Sequence, residues 1–189
     1  MAFIELPTDE ELPGVCASDR ERFGYVPNLA RALALRPDAY AAWKQLNGAI
    51  KESMDLRRYE LATLAAATAL KSSYCSLAHG QVLADKFYTA EEVVALVEEP
   101  PNDPVDRAVM AFARNVALAA DTVTQADVDE LRALGLSDAD VLDVVLAAAA
   151  RSFFSKTLDA TGTQPDSAFN GLPDTLRAAL TVGRPIYSG

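Results

Sequence analysis

The stretch Leu61–Leu70 constrains the fold most, because none of its residues is charged. A helix without a polar face must be covered on most of its sides, so this stretch predicts a helix buried among other elements. Glu60 stands directly before it, at the entrance to the apolar segment. Burial penalises a carboxylate unless another group pairs with it. The position of Glu60 therefore marks it as a candidate functional residue.

A second helix is predicted to begin between Ser72 and Tyr74, where polar residues interrupt the apolar run. This start places Cys75 in the first turn and His79, the only histidine of the chain, four residues later on the same face. Helical side chains lean towards the N-terminus, so the imidazole is expected to point at the sulfur. The helix dipole and a nearby proton acceptor both favour a thiolate. The pattern predicts a reactive cysteine; the alternative is an inert buried thiol beside a core histidine.

Signals for further helices lie on both sides of this pair. Three cap residues are each followed three positions later by an acid, which is typical of helix starts: Thr89 and Glu92, Thr124 and Asp127, Ser137 and Asp140. The helix that begins at Ser137 is expected to run to about residue 158 and is apolar on almost every side. Pro27, Pro37 and Pro173 fit the first turns of three more helices. No segment shows a strand pattern, so the predicted fold class is all-α.

The chain is expected to form a single helical domain, residues 26–189, preceded by an arm. Residues 1–25 contain two prolines and little periodicity, which predicts an irregular N-terminal segment. Cys16 lies in this arm, and nothing near it in the sequence would activate a thiol, so we interpret it as incidental. Tyr40 and Trp43 share one helix face and are expected in the core.

The composition argues against several classes of partner. The net charge is −10 and the longest basic cluster is Arg57-Arg58, so neither nucleic acid nor an anionic membrane surface is expected to bind. No apolar run has the length of a transmembrane helix, and the acidic N-terminus does not resemble a signal peptide. Two cysteines at unrelated positions fit a reducing cytoplasm. One histidine and two cysteines do not supply a zinc site, and no metal or cofactor is predicted.

The spacing of Glu60, Ser72, Cys75 and His79 matches the motif E-x11-C-x2-C-x3-H at every position except the first cysteine, which is Ser72 here. The chain therefore resembles the AhpD-like alkylhydroperoxidase branch of the carboxymuconolactone decarboxylase superfamily. Tyr74, directly before the retained cysteine, is similar to the peroxidase-related members. Residues 23–29 and 123–140 extend the resemblance over nearly the whole chain.

This resemblance implies an AhpD-like multi-helix bundle and a thiol-dependent hydroperoxide reductase. It assigns Cys75 as the peroxide-reactive thiol, His79 as its base and Glu60 as the group that orients His79 or relays protons to it. In the family the first cysteine resolves the sulfenic acid as a disulfide, which a lipoyl dithiol then reduces. Ser72 cannot form that disulfide, so an external thiol is the expected reductant. Ser72 and Tyr74 become auxiliary residues, with the Ser72 hydroxyl expected to cap the helix and to donate to the thiolate.

Two other functions are compatible with these residues. Glu60 and His79 fit a proton-transfer enzyme like those of the decarboxylase branch, which need no cysteine pair. A non-catalytic relative that kept the fold and lost the redox cycle is the third possibility. Each of the three is expected to be a homo-oligomer, because the helix from Ser137 is apolar on more faces than one small domain can cover.

Overall fold

The computed structural model of the protein describes residues 2–99 and 101–188; positions 1 and 189, the outer limits of the predicted arm and domain, lie outside this range. The described residues form ten α-helices: α1 Ala17–Phe23, α2 Asn28–Leu33, α3 Pro37–Ser53, α4 Leu56–Ala69, α5 Ser73–Lys86, α6 Ala90–Glu98, α7 Pro104–Ala119, α8 Gln125–Ala133, α9 Asp138–Ala160 and α10 Asp174–Leu180. No strand occurs in this part of the chain. The predicted all-α class is confirmed.

Local hydrogen bonds determine where several helices start, and the sequence predicts these bonds. Thr89, Thr124 and Ser137 each form a capping box, in which the hydroxyl and the acid three positions later bond reciprocally to the backbone. Pro37 is the first residue of α3, where its missing amide hydrogen costs nothing. Gly135 follows the end of α8 at a φ of 94°, a left-handed conformation that glycine adopts without strain.

Helix α4 occupies the centre of the fold. Every residue from Tyr59 to Ala67 is buried, and the helix packs against α5, α7 and α9. A second, smaller cluster of buried side chains lies where α2, α3, α5 and α9 meet, and it contains Trp43, Cys75 and Phe154. The uncharged stretch of α4 thus has the surroundings that its composition requires.

The N-terminal arm differs from the prediction, because it is partly helical. A 3₁₀ turn at Gly14–Cys16 leads into α1, and Cys16 is buried in the second cluster. Lys44 of α3 holds this segment by donating to the Val15 carbonyl at 2.7 Å and to Asp19 at 2.6 Å. Helix α1 buries none of its own residues, so it lacks the apolar periodicity from which a helix is predicted.

A tight link joins α4 to α5 and fixes where the second helix begins. Lys71 adopts a φ of 55°, and the Ser72 amide donates to the Ala67 carbonyl at 2.9 Å. The C-terminal tail packs directly on this link. The Gly183 amide donates to Ser73 Oγ at 2.7 Å, and a Cβ at position 183 would come within 2.0 Å of the Lys71 carbonyl oxygen. Only glycine fits there.

No helix among residues 2–99 and 101–188 combines the length and the apolar character needed to cross a membrane.

Candidate active site

A short polar contact joins Glu60 to His79 in the candidate site. Glu60 is fully buried at the start of the apolar part of α4, and its Oε2 lies 2.5 Å from His79 Nδ1. Lys51 of α3 donates to the other carboxylate oxygen at 3.0 Å. Burial raises the pKa of Glu60, but His79 and Lys51 outweigh it and lower that pKa to about 2. The carboxylate is therefore ionised at neutral pH.

His79 is the member of this pair that reaches solvent, with 13% of its side chain exposed. Burial and, next, the guanidinium of Arg151 lower the pKa of His79, and they outweigh Glu60, which raises it. A neutral imidazole next to an ionised carboxylate carries its proton on Nδ1, donates it to Glu60 and leaves Nε2 as an acceptor. The pair can thus accept a proton and exchange it with water.

Cys75 is the third residue of α5, as predicted, and only 2% exposed. Its sulfur accepts a hydrogen bond from Arg151 Nη1 at 3.4 Å. No hydrogen bond links Cys75 to His79 within the described residues, so the imidazole that was expected to point at the sulfur does not bond to it. Glu60 of α4 holds the imidazole through Nδ1, and Lys51 of α3 holds the other oxygen of the Glu60 carboxylate.

Ser72 does not cap α5 through its side chain, which corrects a second expectation. Its hydroxyl is buried and makes no hydrogen bond of ordinary geometry. It lies on the Asp159 side, where it partly offsets the rise that burial causes in the pKa of that carboxyl. The Ser72 hydroxyl is therefore not the donor that the sequence suggested for a Cys75 thiolate.

The side chain of Tyr74 makes its contacts with residues other than Cys75. Its phenol donates to the buried carboxylate of Asp166 and accepts from the Leu29 amide at 3.3 Å. The ring meets Phe169 edge to face, with centroids 6.0 Å apart. Tyr74 thus ties the first turn of α5 to α2 and to the segment after α9, and it positions its neighbour Cys75 rather than contacting it.

The family model for the carboxymuconolactone decarboxylase family matches residues 37–100, which contain Glu60, Ser72, Cys75 and His79. An uncharacterized peroxidase-related protein from Ralstonia eutropha JMP134, an alkylhydroperoxidase AhpD core, is 26% identical with a TM-score of 0.78, covering 89% of this chain and 94% of its own. The segment that carries the motif is therefore similar to the carboxymuconolactone decarboxylase family.

Two further solved structures have a similar fold. A peroxidase-related protein from Silicibacter sp. TM1040 is 22% identical with a TM-score of 0.81, covering 90% of this chain and 94% of its own. The debrominase Bmp8, solved with 2,3,4-tribromopyrrole, is 17% identical with a TM-score of 0.72, covering 93% of this chain and 94% of its own. At these identities the likeness shows the fold alone, and it confirms the predicted AhpD-like bundle. None of the curated protein sequences matches the chain.

The sequence analysis missed Arg151. The residue lies in the middle of α9 and is only 4% exposed. Its guanidinium lies beside the stacked rings of Trp43 and Phe154, 6.0 and 5.6 Å from their centroids, and Nη2 donates to the Tyr59 hydroxyl at 3.5 Å. One signal was available. Arg151 is the only charged residue between Asp143 and Lys156.

Two surface cavities of about 290 and 270 Å³ lie beside α10 and beside Cys16, and neither is lined by Cys75 or His79. No group of three or more His, Cys, Asp or Glu side chains that could hold a metal ion occurs among the described residues. What the arrangement offers is therefore a buried thiol, a guanidinium and a carboxylate–imidazole pair.

Proposed function

We propose that the chain is a thiol-dependent hydroperoxide reductase with Cys75 as its single redox cysteine. The observation that carries this proposal is the contact between Glu60 and His79 at 2.5 Å on the two helices that also place Cys75. A buried thiol next to a proton-exchanging pair is the equipment that a cysteine peroxidase needs. The likeness to peroxidase-related proteins supports the same class of reaction.

The first half of the reaction oxidises the sulfur. The Cys75 thiolate attacks the terminal oxygen of a hydroperoxide, an S–O bond forms, and the O–O bond breaks. Sulfur is oxidised by two electrons to the sulfenic acid while the peroxide is reduced to an alkoxide or hydroxide. This leaving group takes a proton, which the pair of Glu60 and His79 relays from solvent.

The second half returns the sulfur to its starting state at the expense of an external thiol. One thiol attacks the sulfenic acid of Cys75, forming a mixed disulfide and releasing water. A second thiol then breaks that disulfide, leaving a reduced Cys75 and an oxidised disulfide product. The chain supplies no sulfur at position 72, so both reducing equivalents come from outside.

The experiment is peroxide consumption with excess dithiothreitol, measured for wild type and two matched variants. Cys75→Ser should lose the activity down to background, whereas Cys16→Ser should keep it. A sulfenic-acid trap followed by peptide mass mapping should label Cys75. Equal peroxide turnover by wild type and Cys75→Ser contradicts the proposal.

One observation favours a second candidate, a proton-transfer enzyme of the decarboxylase type. Glu60 and His79 form their contact without any hydrogen bond to Cys75 in the described part of the chain. Such a pair can move a proton on a substrate independently of the thiol. Turnover of a lactone or a β-keto acid that survives Cys75→Ser but is lost in Glu60→Gln would favour this function. No turnover in either assay favours the non-catalytic relative.

We also propose that the protein assembles as a homo-oligomer. Leu142, Leu146 and Phe153 lie along one side of α9 and are exposed in the single chain, and Leu46 of α3 is exposed as well. Large apolar side chains that are exposed together along one helix typically belong to an interface. Light scattering at micromolar concentration should give a multiple of the monomer mass, and a monomeric mass would contradict the proposal.

A further inference from the structure

Arg151 carries a positive charge in the buried interior of the protein. A guanidinium buried in an apolar helix interface loses its hydration, which costs several kcal/mol unless an anion compensates it. Arg151 is 4% exposed and Nε has no hydrogen-bond partner. Flanking aromatic rings stabilise a cation only in part. The positive charge of Arg151 therefore requires a negatively charged partner in addition to these rings.

No carboxylate supplies the balance. None of the ion pairs formed within residues 2–99 and 101–188 includes Arg151. The nearby buried acid Glu60 is already engaged by His79 and Lys51. The guanidinium donates instead to Cys75 Sγ at 3.4 Å and to the Tyr59 hydroxyl at 3.5 Å.

The two acceptors differ in their surroundings. Burial raises the pKa of Tyr59, so its phenol stays neutral, and it donates to Asn47 at 2.8 Å. Cys75 lies in the first turn of α5 within hydrogen-bond distance of the guanidinium, and a helix N-terminus and an adjacent cation both stabilise a negative charge. The anion that matches Arg151 is therefore the sulfur.

We propose that Arg151 is the counter-ion of a Cys75 thiolate and a further catalytic residue of this site. The inference rests on the proposed function only in taking the thiolate as the reacting atom. In this arrangement Arg151 contacts the sulfur and stabilises its charged form. His79, which the sequence analysis assigned as the base of the thiol, serves the leaving group together with Glu60. A purely structural Arg151, packed beside two stacked rings, would not affect the titration of the thiol.

The test measures the alkylation rate of Cys75 against pH and needs no peroxide. In a Cys16→Ser background Cys75 is the only thiol, and the midpoint of the iodoacetamide profile reports its ionisation. Arg151→Met should move the midpoint up by about one unit or more, which slows alkylation at neutral pH by about tenfold. Arg151→Lys keeps the charge and should move it less. Arg114→Met, on the exposed face of α7, is the matched control and should leave the profile unchanged.

Coincident profiles for Arg151→Met and its parent would overturn the proposal. If Arg151→Met does not fold, the parent protein decides the question by itself. The midpoint of folded Cys75 should then lie below that of the same thiol in concentrated guanidinium chloride, and an equal or higher midpoint overturns the inference. Because peroxide is absent throughout, a thiolate paired with Arg151 can be established even if hydroperoxides prove not to be substrates.

Discussion

The two cysteines of the chain have the same burial and opposite electrostatic surroundings. Cys16 and Cys75 are each 2% exposed, each lies at the start of a helix, and both belong to the same cluster of buried side chains. Cys16 donates to the Ala30 carbonyl at 3.8 Å, and burial followed by the charge of Asp19 raises its pKa. Cys75 accepts from Arg151.

This difference teaches that neither burial nor a helix start determines what a cysteine does. Both features are shared by the two thiols, so the nearest full charge has to account for any difference in their chemistry. A charge acts strongly here because the low dielectric of the interior screens it little. Experiments that change one cysteine, or its surroundings, and leave the other unchanged test whether the nearest charge causes this difference.

The largest effect is expected from an aspartate placed at each position in turn. Cys75→Asp puts a carboxylate opposite the guanidinium of Arg151 and should be tolerated. Cys16→Asp puts a carboxylate into the second cluster of buried side chains, near Asp19, where the surrounding cations Lys44, Arg31 and Arg20 make no hydrogen bond to Cys16. We expect Cys16→Asp to be the less stable variant by about 3 kcal/mol or more in the free energy of unfolding.

Urea unfolding of both variants measures this difference, with Cys16→Ser and Cys75→Ser as uncharged references. Equal losses at the two positions would mean that Arg151 does not compensate an anion at position 75. The electrostatic difference inferred between the two cysteines would then be contradicted.

A smaller effect is expected from Glu60, which supports only the Cys75 side of the comparison. Its pKa falls from 4.5 in the unfolded chain to about 2 in the fold, so the stability it contributes is present above the unfolded value and is lost as the pH falls through about 2. A shift of this size corresponds to about 3 kcal/mol at most. Glu60→Gln should remove this part of the acid dependence of unfolding.

The same variant should slow peroxide oxidation of Cys75, because His79 loses the carboxylate that holds it. Alkylation of Cys16 in the same sample serves as the internal control and should not change. An acid unfolding curve that is identical in Glu60→Gln and wild type would show that the buried carboxylate is not ionised in the fold.

Sequence patterns predicted those parts of the molecule that short-range interactions determine. The capping boxes at Thr89, Thr124 and Ser137 involve residues three apart, and the spacing of Cys75 and His79 fixes their place on one helix. Such arrangements survive almost any packing. Helix α1 was missed because Lys44 of another helix, rather than its own periodicity, holds it in place.

The partners of the candidate site residues could not be read in the same way. Arg151 and Cys75 are 76 positions apart in sequence, and the residues next to each of them do not indicate that the two are in contact. Lys51 likewise precedes Glu60 by nine positions in a different helix. Tertiary packing selects such pairs. A lone charge in an apolar helix indicates only that some partner exists, and not which one.

The smallest change in stability is expected from Ser72→Cys. The hydroxyl at this position is buried and lacks a hydrogen bond, so its replacement by a thiol should alter the free energy of unfolding by less than about 1 kcal/mol. Positions three apart at a helix start have Cα atoms roughly 5 Å apart, within the range of a disulfide. Peroxide should therefore join positions 72 and 75 and allow a dithiol to act as the reductant.

Non-reducing peptide mapping after peroxide treatment gives the result for Ser72→Cys and wild type together. Wild type should show the sulfenic acid of Cys75, its overoxidised forms or a mixed disulfide with added thiol. A disulfide between Cys16 and Cys75 in wild type would break the comparison, because Cys16 would then take part in the redox cycle.

Trp43, the only tryptophan of the chain, gives the protein an optical property of its own. Its indole is stacked on Phe154 with centroids 4.5 Å apart, and the guanidinium of Arg151 lies 6.0 Å from the ring. Indole emission shifts with the electric field of neighbouring charges, and at this distance the field of a poorly screened charge is strong. Loss of the negative charge proposed for Cys75, by protonation or oxidation, would leave Arg151 without a counter-ion and change that field. The fluorescence of the unlabelled protein should thus record the state of its sulfur in real time.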